Sequence, residues 1–551
     1  MKRNLALLGL TLGAILAGCT VGPNYVAPKP LMPATFGERP TTTQISATQA
    51  ARAATQPNEP PTAAWWKNFR DPQLTSIVER ATRGNLDLRA AEARLRLARA
   101  QYGVARADFF PTVNGSAGYT RSRSSQAGRT SSGSFTTTSG GTTGGTTTGG
   151  TTTGGTTTGG TTTGTTVTTT NGGSSSSNER DLFHAGLDST WEIDVWGKVR
   201  RQVENAGDNI DAAVENRRNV LVILLGEVAT TYIQYRQFER ELQVANDNIQ
   251  AQRETLGVTR RKFEAGLKTA TELDVAQAEA LVFTTESQVP TLEQQMKIAA
   301  HKLGILLGES PDALIEELGV HRPIPAAEIP ELPIGLPSDL LRRRPDIRNS
   351  ERLLAAATAN IGVAVADLFP RFSLTGSFGF QAPQFKELGN YTSRSWSIGP
   401  AVTLPILDWG RIRSNIQVQN ATQELAFVTY QTTILTALQE VEDSVVSYSR
   451  EQVRRQSLHD AVEADRRAVT LALQRYNAGL TDFLSVLDAQ RSLYAAQDQL
   501  IQSESLVSLN LVALYKALGG GWEVVEQMQK RQGTFPPEQM AAQSVKGPKE
   551  Q

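Results

Sequence analysis

One cysteine, four histidines and no net charge are what 551 residues offer here, with 55 Lys+Arg set against 55 Asp+Glu. The single cysteine, Cys19, excludes an internal disulfide framework and any cysteine-rich zinc site. His184, His301, His321 and His459 stand far apart and form no HExxH, which argues against most metal chemistry. A balanced charge lacks the broad basic field that nucleic-acid binding needs. There is no P-loop, no GxGxxG and no nucleophile constellation, so an enzyme is the weakest reading and no cofactor is expected. Beyond the N-terminal segment no stretch reaches eighteen consecutive apolar residues, so no membrane-crossing helix is expected. What is present is an ordinary 39% of hydrophobic residues, enough for a large core. At about 150 residues per domain the length suggests roughly three or four domains.

The first residues set the compartment. Lys2 and Arg3 precede an apolar run, Leu5 to Leu16, that is too short to span a bilayer comfortably and reads as a secretory signal. It ends in Leu16-Ala17-Gly18-Cys19, which resembles the bacterial lipoprotein signal, with cleavage before Cys19 and acylation of it. The plainer alternative is a signal peptide with an incidental cysteine. Thr20 after the cysteine, by the same resemblance, favours sorting to the outer membrane. Residues 19–64 are rich in proline, threonine and alanine and are expected to form an extended strap, and residues 527–551 a disordered tail.

The chain repeats itself once. Val104-Ala105-Arg106-Ala107-Asp108-Phe109-Phe110-Pro111 matches Val363-Ala364-Val365-Ala366-Asp367-Leu368-Phe369-Pro370 at an offset of 259. Trp196-Gly197 matches Trp409-Gly410, and Ala265-Gly266-Leu267 matches Ala478-Gly479-Leu480, both at an offset of 213. The two offsets differ because residues 121–178 are almost pure glycine, serine and threonine, an insert in the first half alone. Such a segment has nothing to bury and reads as a solvated loop. The halves are expected at residues 65–310 and 311–526.

Each half carries two strand-like runs followed by long helices. Phe372, Leu374, Phe378 and Phe380 alternate with small polar residues, as do Trp396, Ile398, Val402 and Leu404. The first half does the same from Val113 to Thr120 and through Phe183, Ala185, Leu187, Trp191, Ile193 and Val195. Such runs suit outer-membrane strands and, on alternation alone, equally suit a half-buried hairpin. Trp196 and Trp409 mark the return from strand to helix and suit an interfacial aromatic belt. Then Val214, Leu221, Val228, Tyr235, Leu242, Ile249, Leu256 and Phe263 fall at intervals of seven. The second half repeats the pattern at Phe427, Ile434, Val441, Tyr448, Arg455, Val462, Val469 and Tyr476, broken only by Arg455. A third stripe runs Val486, Leu493, Leu500, Val507 and Leu514. Seven-residue periodicity means helices coiling on neighbours. A helix from Lys198 to Phe263 would be roughly 100 Å long at 1.5 Å per residue. With no membrane helix, a route through a bilayer requires a closed barrel, and four strands cannot close alone. Two copies would supply eight strands and three would supply twelve.

Cys19-Thr20-Val21-Gly22-Pro23-Asn24-Tyr25, Trp65-Trp66 with Phe69, Asp71-Pro72 and Leu74, the paired Ala-Asp-x-Phe-Pro segments, and Arg475-Tyr476-Asn477-Ala478-Gly479-Leu480 followed by Val486-Leu487-Asp488-Ala489-Gln490 resemble the TolC-like outer-membrane efflux family, in its NodT-type lipoprotein branch. The resemblance covers nearly the whole chain after the signal. It implies an α+β membrane protein: a homotrimer with a twelve-stranded outer-membrane β-barrel, four strands per chain, continuing into a long α-helical coiled-coil tunnel through the periplasm. It also implies two partners, a periplasmic adaptor (membrane fusion) protein and an inner-membrane pump of the resistance-nodulation-division (RND) type. The function implied is the outer-membrane channel of a tripartite efflux system. An outer-membrane duct for an ABC-type secretion system and a structural or adhesive surface lipoprotein are the alternatives.

The same resemblance places a periplasmic gate on Asp488 (an acidic ring), Leu484 (an apolar collar), and Tyr476 with Arg475 (an aromatic and basic lock). Thr481 and Ser485 stand where other members carry charge, which departs from the fullest lock. Adaptor docking is expected at the helix turns Ala265-Gly266-Leu267 and Ala478-Gly479-Leu480, where glycine also serves as a helix cap. Asp108 and Asp367 read as architectural, because the prolines shortly after them end a helix and begin a strand.

Overall fold

The computed structural model describes residues 20–28, 33, 63–123, 179–267, 270–326 and 337–531. The signal segment with Cys19, most of the strap, nearly all of the Gly/Ser/Thr-rich insert and most of the C-terminal tail lie outside the described residues. The chain divides into two compact units, and each draws on both halves of the sequence.

The larger unit is helical. Its principal helices are α1 (Pro72–Gly84), α2 (Leu86–Ala107), α3 (Lys198–Glu264), α4 (Glu272–Glu286), α5 (Gln288–Leu307), α6 (Pro345–Ala366), α7 (Arg411–Asn477), α8 (Phe483–Ala517) and α9 (Trp522–Arg531). α3 and α7 are each 67 residues long, and each begins after a left-handed glycine, Gly197 and Gly410. They stand in the register that the repeated Trp-Gly and Ala-Gly-Leu motifs set. Among the described residues no helix is long and apolar enough to cross a membrane.

Of the heptad positions on α3 and α7 only Phe263 is exposed. Leu221, Val228, Tyr235 and Ile249 are buried on α3, and Ile434, Val441, Tyr448, Val462 and Tyr476 on α7. α3 packs against α1, α2, α4, α5, α6 and α8, whereas α7 packs chiefly against α6 and α8. The main core gathers around Trp65, Trp66 and Phe69, with Trp65 stacked on Tyr515 at 5.4 Å. Beside it lies a polar knot. The fully buried Arg236 meets Gln73, Glu239 and the hydroxyl of Tyr232, and Tyr232 donates to Asp71 at 2.7 Å. Asp71 in turn caps α1 through the backbone N–H groups of Gln73 and Leu74. Each of these buried polar side chains has a partner, which is the condition under which burial of charge is tolerated.

The smaller unit is a four-stranded sheet in the order β1 (Thr112–Arg123), β2 (Glu179–Ile193), β3 (Arg371–Ala382), β4 (Arg394–Thr403). β1–β2 and β2–β3 are antiparallel. Their register sorts the side chains. Tyr119, Phe183 and Ala382 stand opposite one another, as do Leu187 with Phe378, Trp191 with Leu374, and Ile193 with Phe372. Ser377 bonds Ser397 at 2.8 Å, which puts Trp396, Ile398 and Val402 on that same apolar face by alternation. The opposite face carries Asn114, Ser116, His184, Asp188, Ser373, Thr375 and Ser377. Trp396, Ile398 and Val402 are 74%, 66% and 63% exposed, so the apolar face is bare in one chain.

The Ala-Asp-x-Phe-Pro segments sit where helix gives way to strand, after α2 and α6. Asp367 accepts from Lys198 at 2.8 Å and Arg371 at 2.7 Å, a structural pairing. Trp196 is half-buried, stacks on Phe369 and donates to the Pro370 carbonyl, so it holds a corner of the chain. Trp409 is 90% exposed.

Candidate functional site

The residues singled out from the sequence gather at the ends of α3 and α7. Both helices finish in the same cap. Gly266 has φ +66° and donates to Phe263, while Leu267 donates to Lys262; Gly479 has φ +73° and donates to Tyr476, while Leu480 donates to Arg475. This paired pattern satisfies the last carbonyls of a helix, and the positive φ is why glycine holds the position. A hydrophobic contact commonly closes such a cap, between the residue after the glycine and the third-last helical residue. Here those third-last residues are Lys262 and Arg475, so the contact is not available. Leu267 and Leu480 are left 51% and 70% exposed.

After the turns the chain re-enters helices. Thr271 caps α4 in a reciprocal arrangement with Asp274, and α8 starts at Phe483. The first turns of α8 have two faces. Phe483, Val486, Leu487 and Gln490 are buried, while Leu484 and Asp488, one turn apart, share the exposed side.

Tyr476 is elsewhere. It is 1% exposed and lies edge-on to Phe483 at 5.5 Å, within a cluster that includes Ala278, Leu281, Val486 and Leu487. Burial raises its phenol above the ordinary tyrosine range. Arg475 is exposed on the last turn of α7. The structure therefore brings Leu484 and Asp488 together on one face and separates Tyr476 from them within the chain.

Lys262, which no motif singles out, ties the two hairpins. Its ammonium lies 3.9 Å over the Tyr476 ring and donates to the Tyr476 carbonyl at 2.9 Å. Burial holds that ammonium below the usual lysine range. A signal for it exists in the sequence: Lys262 stands to Gly266 as Arg475 stands to Gly479, a cation four residues before each capping glycine.

A second convergence involves the strap. Arg201, with its side chain 4% exposed, donates to the carbonyls of Val21 and Gly22 and to the Asn24 side chain, the last at 2.7 Å. The Val21 N–H donates to the Trp196 carbonyl at 3.1 Å. Gly22, at φ +90°, lies against Gly362 so closely that a Cβ there would come within 2.4 Å of its Cα. The residues just after Cys19 are thus seated on the ends of α3 and α6.

The sequence model of outer membrane efflux proteins matches residues 77–309 and 336–520. Nodulation protein T of Rhizobium leguminosarum bv. trifolii is 30% identical over 514 residues, 93% of this chain and 96% of that protein. Solvent efflux pump outer membrane protein SrpC of Pseudomonas putida is 30% identical over 510 residues, 93% of this chain and 97% of that one. Among solved structures, the outer-membrane channel OprN matches with a TM-score of 0.74 at 35% identity, over 92% of this chain and 100% of its own.

Proposed function

This chain belongs to the outer membrane efflux protein family, and we propose that three copies of it form a closed channel that carries cargo from a periplasmic adaptor and an inner-membrane pump to the outside. It is an outer-membrane efflux component, a conduit rather than an enzyme. The observation that supports a barrel shared between copies is the sheet. Four strands present one apolar and one polar face, and β1 and β4 each have a strand neighbour on one side only among the described residues. An open edge is not tolerated in lipid, and four strands are too few to close. Twelve strands from three copies close it, with the apolar face turned to lipid. The alternating run on β2, from Phe183 to Ile193, has the length that a tilted strand needs to cross the hydrocarbon, about 9–11 residues. The two halves, residues 65–310 and 311–526, are read as duplicated copies of one strand-and-hairpin unit, and Cys19 as the acylated anchor.

The gate and the docking surface belong to the same proposal. Three symmetry-related Asp488 carboxylates would form a ring that favours cations, with Leu484 one turn away as a collar that resists wetting. Tyr476 acts through the core, fixing the start of α8 against Phe483, and Arg475 from the exposed side of α7. The adaptor docks on Ala265-Gly266-Leu267 and Ala478-Gly479-Leu480, which offer the uncovered leucines. The pump is of the proton-driven RND type.

Planar-bilayer recording of the purified protein tests the channel and its gate together. Wild type is expected to conduct with cation preference, and Asp488→Ala to conduct with that preference weakened. Absence of any conductance would overturn the channel; unchanged selectivity in the variant would overturn the acidic ring alone. In-cell crosslinking from a tagged copy identifies the partners: recovery of an ATP-driven transporter in place of a proton-driven pump would overturn the RND assignment.

A further inference from the structure

Arg455 interrupts an otherwise apolar heptad series, at the place where the first half has Leu242. A charged group in a coiled-coil seam weakens it unless something compensates. Arg455 is half-buried and has no carboxylate within ion-pair distance among the described residues, although its charge acts on Glu504. It lines a cavity of about 580 Å³ bounded by α3, α7, α8 and residues 321–326. Arg240 and Arg322 line the same cavity, and among the described residues Glu504 is its only carboxylate. Arg322 reaches Asp71, outside the cavity lining, at 3.7 Å through one terminal nitrogen, while its Nε is buried without a hydrogen-bond partner. His321 is already engaged, with Glu239 2.9 Å from Nδ1 and Gln243 3.0 Å from Nε2. The floor is apolar: Tyr448 and Leu511 are 8% and 1% exposed.

We infer that this cavity is a binding site for an organic anion, an apolar body bearing a carboxylate or phosphate group, and that Arg455 is a ligand-binding residue of it. Among the described residues three guanidiniums line the cavity with one carboxylate, a positive excess that an anion would neutralise. The planar guanidinium fork matches carboxylate and phosphate geometry. The volume lies in the range of small-molecule sites, roughly 300–1,000 Å³, which combine apolar walls with a few convergent polar groups. The inference explains why a cation occupies a seam position, and it stands independently of the channel reading.

Isothermal titration of the assembled full-length protein in non-ionic detergent tests it, with octanoate, phenyl phosphate, inorganic phosphate and octylamine as probes. The two organic anions are expected to bind at one site per chain and octylamine not to bind. Arg455→Leu restores the residue type of the first half, so it is expected to keep helicity and thermal stability while weakening the organic anions at least tenfold. Arg455→Lys, keeping charge without the fork, is expected to fall between. Equal affinity in wild type and Arg455→Leu, or no binding of either organic anion to wild type, would overturn the site. Inorganic phosphate binding as tightly as phenyl phosphate would overturn the amphiphilic ligand class.

Discussion

α3 and α7 are equal in length, share their caps and carry similar heptad patterns, yet α3 buries more than twice as many of its residues as α7 does. α3 is enclosed by its own chain on several sides. α7 leaves Val418, Leu425, Leu435, Val453 and Leu471 at 57–67% exposure. The contrast reverses at the tips, where Tyr476 of α7 is 1% exposed and its counterpart Phe263 on α3 is 42% exposed. Two helices with one sequence pattern differ in their setting: one is enclosed by its own chain, the other leaves an apolar face uncovered. The bare apolar face of the sheet belongs with α7 in this respect.

The division can be broken most severely at Arg236. Arg236→Ala takes the buried cation from Glu239 and Gln73, leaving Glu239 the exposed His321 and Gln73 the Tyr232 hydroxyl, and removing one partner of a buried charged set costs about 3–5 kcal/mol. Denaturant titration followed by far-ultraviolet circular dichroism should register that loss. A change no larger than that of an ordinary surface substitution, within about 0.5 kcal/mol, would mean the knot is solvated. At the corresponding level of importance for α7, Leu435→Glu should leave the monomer's helicity intact and prevent assembly, read by size-exclusion chromatography with light scattering. A variant that assembles normally would show that this face has no partner.

A smaller effect comes from Glu241 on α3, buried at 6% exposure, whose carboxyl desolvation pushes up to about 7. Raised above its unfolded value near 4.5, it adds stability that is fully present below pH 4.5 and lost as pH rises through 7. Glu241→Gln should therefore flatten the decline in melting temperature between pH 5 and about 8 and be the more stable protein at the alkaline end. Parallel pH profiles for the two proteins would refute this. The smallest effect is expected at Gly266→Ala. A Cβ there meets nothing within 4 Å, so only the left-handed backbone is penalised, by about 1–2 kcal/mol. Helix fraying at the tip, seen as faster hydrogen exchange of the amides at positions 266 and 267, is the readout; unchanged exchange would show that the cap does not hold the turn.

Much of this was legible in the sequence, because periodicity is a local property. The heptads from Val214 to Phe263 delimit α3 to within a residue at its end, and the alternation from Phe183 to Ile193 marks β2. Ala-Gly-Leu announced its own caps. The contacts between distant segments were not legible. Arg236 with Gln73, Lys262 with Tyr476, and Arg201 with Asn24 join residues far apart in the chain, and no spacing rule reports such pairs. For the same reason the sequence does not report that packing against Phe483 draws Tyr476 into the core while Asp488 stays outside. The unequal burial of α3 and α7 was equally invisible, since their heptads read alike.

One chain makes an unfinished sheet, which identical copies are proposed to complete. Paired cysteines test it directly, one at a polar-face position of β1 such as Ser116 and one on β4 such as Ser397, scanned over neighbouring positions and oxidised in outer membranes. With Cys19 the only native cysteine, each band is assignable. A ladder that ends at three chains is the expected result. Crosslinks that form only within a single chain, or at no pairing at all, would contradict it.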